Sequence, residues 1–258
     1  ITATIGSARV SDLLGSATLS DDNENNAYTI SISEEDATGL TATQLNAINA
    51  LTSLPVEASA VTAMSGSYTD ITNLYASGEF IDLGNEAITI TDELTVAQAN
   101  ILDDLTTGVI EATIGNTRVS DLLGSASLSD ANGNNAYTIS ISAEDATVSA
   151  SDLNAINALT SVPVDLANVD SISASDFTDL TTLNTNRAEF SNITGITAIT
   201  LTDNGGGTDS VDYGTLETIV DNYQANFNSN VVFSFQSRDT IVINTDSELS
   251  AFLADIGS

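Results

Sequence analysis

The sequence predicts an α/β fold: a repeat solenoid of parallel β-strands with one covering helix per coil. Three observations predict it. A long segment of the chain occurs twice, alternating apolar segments recur along it, and a helix-period segment lies between most neighbouring pairs of them.

The duplication comes first in the argument. Residues 3–37 read ATIGSARVSDLLGSATLSDDNENNAYTISISEEDA, and residues 112–146 read ATIGNTRVSDLLGSASLSDANGNNAYTISISAEDA. At an offset of 109, 29 of these 35 positions are identical, which excludes chance. The match continues through LNAINALTSLPV (45–56) against LNAINALTSVPV (153–164), and ends with AITITD (87–92) against AITLTD (198–203). The expected organisation is therefore a first long repeat over 1–109, a second over 110–203, and a divergent capping or docking segment over 204–258.

Within each long repeat, period-2 alternation marks strands at ITATI (1–5), AYTISIS (27–33), VEASAVTAM (56–64) and AITITD (87–92). They return at VIEATI (109–114), AYTISIS (136–142), near 164–172, and at ITAITLTD (196–203). The helix-period segments are RVSDLLGSA, TATQLNAINALTS, SYTDITNLYAS and TVAQANILDDLTT. Several open on Ser or Thr, whose hydroxyl oxygens accept from free N–H groups of a first turn. In the second, Leu45, Ile48 and Leu51 form one apolar stripe. One such unit is too small to bury its own apolar face, so units must stack, each strand pairing in parallel with the next. Ile30, Ile32, Ile139 and Ile141 are the expected inward residues.

Composition excludes most catalytic chemistry. The chain of 258 residues has no Lys, His, Cys or Trp, and 36 acids against four Arg give a net charge of −32. There is no imidazole base, thiolate, Schiff-base lysine, P-loop lysine or disulfide. The charge opposes binding to nucleic acid or an anionic membrane. Paired acids such as Glu34-Glu35-Asp36 and Asp103-Asp104 read as helix-terminus partners or solvated faces, and only 5% of residues are aromatic, too few to stack a sugar. No enzyme is expected. No apolar run approaches the ~20 residues of a membrane span. The chain opens on Ile1 with neither Met nor signal peptide, as a processed or excised piece would. A Thr-rich, acidic, Cys-free chain fits an extracellular, cell-surface or virion location.

The metal candidates are the D-x-N-x-N cores of SDDNENNAY (20–28) and SDANGNNAY (129–137): Asp21, Asn23 and Asn25, then Asp130, Asn132 and Asn134. Alternate oxygen side chains on a tight loop converge on a hard cation such as calcium. The EF-hand pattern is incomplete, with Asn26 and Asn135 where Gly is expected, and Ile32 and Ile141 where Glu is expected. The competing reading is an Asn/Asp turn stabilised by local hydrogen bonds. Arg9 and Arg118 occupy equivalent places, each three residues before an acid, Asp12 or Asp121. Their readings are an ion pair on the helix surface, or a pin between neighbouring coils.

The stretch from Asn73 to Ile114 carries Tyr75-Ala76-Ser77, Leu83-Gly84-Asn85-Glu86-Ala87, ITITD and TVAQANIL. It resembles repeats of very long surface proteins of marine picocyanobacteria and of structural proteins of the cyanophages that infect them. The second copy departs from this pattern, with TGITAITLTDNGGG in place of LGNEAITITDEL. The resemblance implies an extracellular fibre, coat or appendage and brings no catalytic residues with it. The expected function is a structural repeat protein of a surface filament, layer or virion appendage, which self-associates or meets neighbouring subunits. The alternative is an adhesive or calcium-stabilised module that recognises a cell-surface glycan or protein.

Overall fold

The structure, a computed structural model, describes residues 1–15, 19, 26–131, 133, 135–175, 177–202, 210–235, 240–242, 245, 247, 248, 250 and 251. It is α/β, and every strand pair described in register is parallel. The chain divides into two compact units, Ile1–Gly115 with Ala126–Thr138 and Leu159–Ser161, and Asn116–Ser125 with Ile139–Ala158 and Val162–Ser258.

In the first unit the strands are β1 (Thr2–Ala8), β2 (Ala27–Ile32), β3 (Leu40–Thr41), β4 (Val56–Glu57), β5 (Ala63–Gly66), β6 (Phe80–Ile81), β7 (Ala87–Leu94) and β8 (Ile110–Thr117, its last two residues in the second unit). They form two series, β1-β2-β4-β6 and β3-β5-β7-β8. The helices are α1 (Val10–Leu14), α2 (Ala42–Asn49), α3 (Tyr68–Ser77) and α4 (Val96–Asp103).

In the second unit the helices are α5 (Val119–Leu123), α6 (Ala150–Asn157), α7 (Phe177–Thr185) and α8 (Tyr213–Asn226). Its strands are β9 (Ala136–Ile141, begun in the first unit), β10 (Thr147–Ser149), β11 (Val164–Asp165), β12 (Ser171–Ala174), β13 (Phe190–Ser191), β14 (Ala198–Leu201), β15 (Ser210–Asp212), β16 (Val232–Phe235) and β17 (Thr240–Val242). Here the series are β9-β11-β13, β10-β12-β14-β16 and β15-β17.

The alternating segments are strands, and in β2 and β9 the apolar residues point inward: Ile30, Ile139 and Ile141 are fully buried, with Ile32 nearly so. Two expectations change. A single stack of strands was expected, but the two AYTISI segments lie in different sheets, β2 beside β4 and β9 beside β11. VEASAVTAM was expected as one strand and is two, β4 and β5, in different sheets. The chain turns between them at Ala58, whose carbonyl accepts from Val61 N–H at 2.8 Å. The segment near 164–172 breaks in the same way into β11 and β12. A two-residue strand followed by a turn leaves each apolar residue facing inward while the backbone changes sheet, so alternation alone reads through the corner.

Helix starts follow the Ser/Thr signals. Thr41 and Gln44 close a reciprocal cap on α2, with Gln44 N–H donating to Thr41 Oγ1 at 3.1 Å and Thr41 N–H to Gln44 Oε1 at 2.9 Å. Thr95 and Gln98 repeat it on α4, and Ser149 caps α6 through the Asp152 N–H. These caps recur at 41, 95 and 149, a spacing of 54, half the long repeat. Buried Leu45 and Ile48 on α2, Ala99 and Leu102 on α4, and Leu153 and Ile156 on α6 keep the same spacing.

Candidate functional site

The junctions between strand-and-helix segments concentrate buried polar chemistry, and the same devices recur along the chain at 54-residue intervals. Thr52 Oγ1 donates to the Tyr28 carbonyl at 2.7 Å, Thr160 to the Tyr137 carbonyl at 2.7 Å, and buried Thr106 to the Glu86 carbonyl at 2.8 Å. These threonines stand at 54-residue intervals, and each ties its segment to the one before. Asparagines of the helices do the same in the opposite direction. Asn46, Asn100 and Asn154 donate through Nδ2 to the carbonyls of Asp70, Ser127 and Asp179 at 2.9–3.2 Å.

Acids serve as remote caps. The short helices α1 and α5 have no side-chain cap of their own. Instead Asp36 Oδ2 accepts from Val10 N–H and Asp145 Oδ2 from Val119 N–H, both at 2.7 Å and 26 residues apart in sequence. Asp92 accepts likewise from Tyr68 N–H at the start of α3 at 3.1 Å. A carboxylate at a helix N-terminus satisfies a free donor and meets the positive end of the dipole. Glu86, fully buried, folds back onto its own loop and accepts from Gly84 N–H at 2.9 Å and Asn85 N–H at 3.1 Å.

The loop of the second metal candidate is held by Asp103, near the end of α4. Its Oδ2 accepts from Ser129 Oγ at 2.7 Å and Ala131 N–H at 3.1 Å, and its Oδ1 accepts from Asn135 Nδ2 at 2.8 Å. Fully buried Asn135 also donates to the Tyr137 hydroxyl at 3.0 Å and accepts from Ile110 N–H at 3.0 Å. Burial first, then the charges of Asp103 and Asp130, push the Tyr137 phenol well above its usual range and keep it neutral. Asp130 forms a turn: its Oδ1 accepts from Asn135 N–H at 3.1 Å and its carbonyl from Gly133 N–H at 2.9 Å, with Gly133 at φ +69°. Asp21, Asn23, Asn25, Asn132 and Asn134 lie outside the described residues. The sequence reading set Asp103 at a helix terminus or on a solvated face, but it is buried and holds this loop from a different element.

Arg9 and Arg118 pair not with Asp12 and Asp121 but with Glu35 and Glu144, across to the following segment. The pinning geometry therefore replaces the intrahelical pair. Both partners are more than half exposed, so each pair contributes about 0–1 kcal/mol.

One cleft, of about 310 Å³, lies between α7 and α8, with Thr181, Asn184, Thr215 and Asn222 on its polar wall and Tyr223 beneath. Tyr223 is fully buried and donates to the Leu180 carbonyl at 2.8 Å. Burial raises its phenol far above the ordinary range.

The outer edge of the first unit is chemically distinct. β1 and Ile1 before it are mostly exposed, Ile1 at 77%, whereas the matching residues of β8 are covered: Ile110 at 0%, Ala112 at 5% and Ile114 at 1%. The sequences are nearly the same, ITATIG against IEATIG. What differs is the neighbour, since β8 lies against β7. No family model matches the chain, and neither a curated protein nor a solved structure shows significant similarity to it.

Proposed function

We propose that this chain is a structural repeat protein that acts by assembly, one segment of an extracellular filament, layer or virion appendage. Its units are successive strand-and-helix coils of a solenoid, each stacked on the one before. The observation that carries the reading is the recurrence of the same inter-segment tethers, Thr52, Thr106 and Thr160 with Asn46, Asn100 and Asn154, at a constant spacing. In a stacked array each repeat meets only its neighbours, so one solution to the junction serves at every level.

The second reading, an adhesive module for a cell-surface glycan or protein, rests on the cleft between α7 and α8 and its wall of hydroxyl and amide groups. Sedimentation velocity across a wide concentration range, followed by electron microscopy, separates the two. Assembly predicts species larger than the monomer that grow end to end or side by side. A strict monomer that retains a soluble glycan contradicts assembly and favours the adhesive module.

A further inference from the structure

The cleft between α7 and α8 opens where the second repeat departs from the first. At an offset of 109, α3 is the counterpart of α7: Asp70, Ile71, Thr72 and Leu74 match Asp179, Leu180, Thr181 and Leu183. The next position is Tyr75 in α3 and Asn184 in α7. A phenol ring is thereby replaced by a short amide, and Asn184 lines the cleft. Its Oδ1 accepts from Asn226 Nδ2 of α8 at 3.2 Å.

The floor of the cleft is apolar, with buried Leu180 and Ile219. Its wall carries three hydroxyls whose hydrogens are committed elsewhere. Thr181 Oγ1 donates to the Phe177 carbonyl at 2.9 Å, Thr218 Oγ1 to the Gly214 carbonyl at 2.8 Å, and Thr215 Oγ1 to Asp212 Oδ2 at 2.9 Å. Each oxygen therefore has only lone pairs to offer the cleft. Gly214, also on the lining, lies against two carboxylates: a Cβ there would stand 3.2 Å from Glu248 Oε1 and 3.6 Å from Asp212 Oδ2. The positive end of α8 is met by Asp212, which accepts from Thr215 N–H at 2.9 Å, so the helix dipole does not repel a cation here.

Lone pairs, carboxylates and an apolar floor together call for a ligand with N–H donors, positive charge and a hydrocarbon stem. We propose that the cleft binds a primary alkylammonium group, carried by a small aliphatic amine or by a lysine side chain of a partner. Its three N–H donors rotate to meet separate oxygens, and its methylenes lie along Leu180 and Ile219. A bare metal ion would leave most of the 310 Å³ and the apolar floor unfilled. A planar guanidinium asks for a two-pronged carboxylate, whereas Asp212 Oδ2 is already shared by the N–H and hydroxyl of Thr215. The net charge of −32 draws cations to the surface, and the chain has no lysine of its own to compete. This goes beyond the assembly reading and does not depend on it.

The test titrates the isotope-labelled full-length chain with butylammonium, with Nα-acetyl-lysine amide, and with butanol as the neutral isostere, at constant ionic strength, and follows amide shifts by NMR. The expected result is saturable binding of the two ammonium probes, with shifts confined to α7 and the first turns of α8. Asn184→Tyr, which restores the residue of the first repeat, is expected to abolish it. Thr218→Val, at an exposed position, is expected to weaken it about tenfold, as loss of one hydrogen bond to a charged group does. Tighter binding of butylammonium identifies a free amine as the ligand, and tighter binding of the acetylated lysine identifies a partner's side chain. Butanol that binds as well as butylammonium overturns the proposal, because charge then plays no part. Shifts spread over the acidic surface and unchanged by Asn184→Tyr also overturn it, because they report counter-ions only. Failure of both ammonium probes to saturate overturns it too, and a neutral sugar that then occupies the cleft favours the adhesive reading.

Discussion

The carboxylate of Asp145 accepts a 2.7 Å hydrogen bond from the backbone N–H of Val119, which lies 26 residues earlier and starts a helix without a side-chain cap. Asp36 and Val10 repeat the relationship one long repeat earlier. The helix start in one segment is thus completed by an acid from the next, so neither segment is fully satisfied alone. Part of the excess of acids has a local reason here, because Asp36, Asp92 and Asp145 all meet helix N-termini.

Replacing Asp145 by Ala removes the remote cap of α5 and should destabilise the protein by about 0.5–2 kcal/mol, with Asn retaining part of the effect. Asp12→Ala, at an exposed position on α1, should change stability by less than about 0.5 kcal/mol. Urea unfolding of the variants checks both. An Asp145 variant as stable as the native chain would deny the cap its role.

Asn135→Ala should be among the more damaging single changes, costing about 1–3 kcal/mol for each buried partner left unsatisfied, the first being the Asp103 carboxylate. The Ile110 N–H is orphaned as well. Asn135→Asp should be comparably harmful, since it sets a second carboxylate against Asp103. The measurement is the midpoint of chemical unfolding. A drop below 1 kcal/mol for both would mean that the network is dispensable.

Gly108 lies so close to the preceding segment that a Cβ there would stand 2.2 Å from the Glu86 carbonyl oxygen. Gly108→Ala must push two backbones apart, and should cost more than about 2 kcal/mol. Gly6 on β1 has nothing within 4 Å of the same added atom, and Gly6→Ala should be neutral or mildly stabilising. Thermal melts of the two variants side by side decide it, and equal melting temperatures would contradict the packing at Gly108.

The parts of this fold that were legible in the sequence are those with a period. AYTISI alternates and forms β2 and β9, and LNAIN carries a stripe and forms α2 and α6. Two-residue strands such as β4, β6 and β11 have no room for a period, so the corners that separate the sheets were invisible. The Arg partners were sought within one helix, at Asp12 and Asp121, because local spacing is what a sequence displays. Glu35 and Glu144 become neighbours only after stacking. The partners of Asp103, Glu86 and Asn135 were not read for the same reason, although the 54-residue recurrence of Thr52, Thr106 and Thr160 was present to be read.

Calcium is proposed as a counter-ion, with the loops of Asp21, Asn23 and Asn25 and of Asp130, Asn132 and Asn134 as its sites. A cation bound only to the folded chain raises the melting temperature by mass action. The expected result is a higher melting temperature in calcium than in chelator at equal ionic strength, with the increment lost in the Asp21→Ala, Asp130→Ala double variant. Because Asp130 also shapes a turn, the increment and not the absolute value is the quantity to compare. No increment in the native chain would remove calcium from the account.

The claim that neighbouring segments complete one another is tested most directly by hydrogen exchange at β1. A second copy of residues 1–109 is placed in frame ahead of Ile1, so that Val109 of the added copy precedes Ile1 as Val109 precedes Ile110 in the native chain. Amide exchange across Thr2–Ala8 is then measured in the native and extended chains. Stacking predicts that the β1 amides exchange more slowly in the extended chain, approaching the rates of β8, while the rest of the protein is unchanged. Unchanged exchange at β1, with the added repeat unfolding as a separate body, would contradict it.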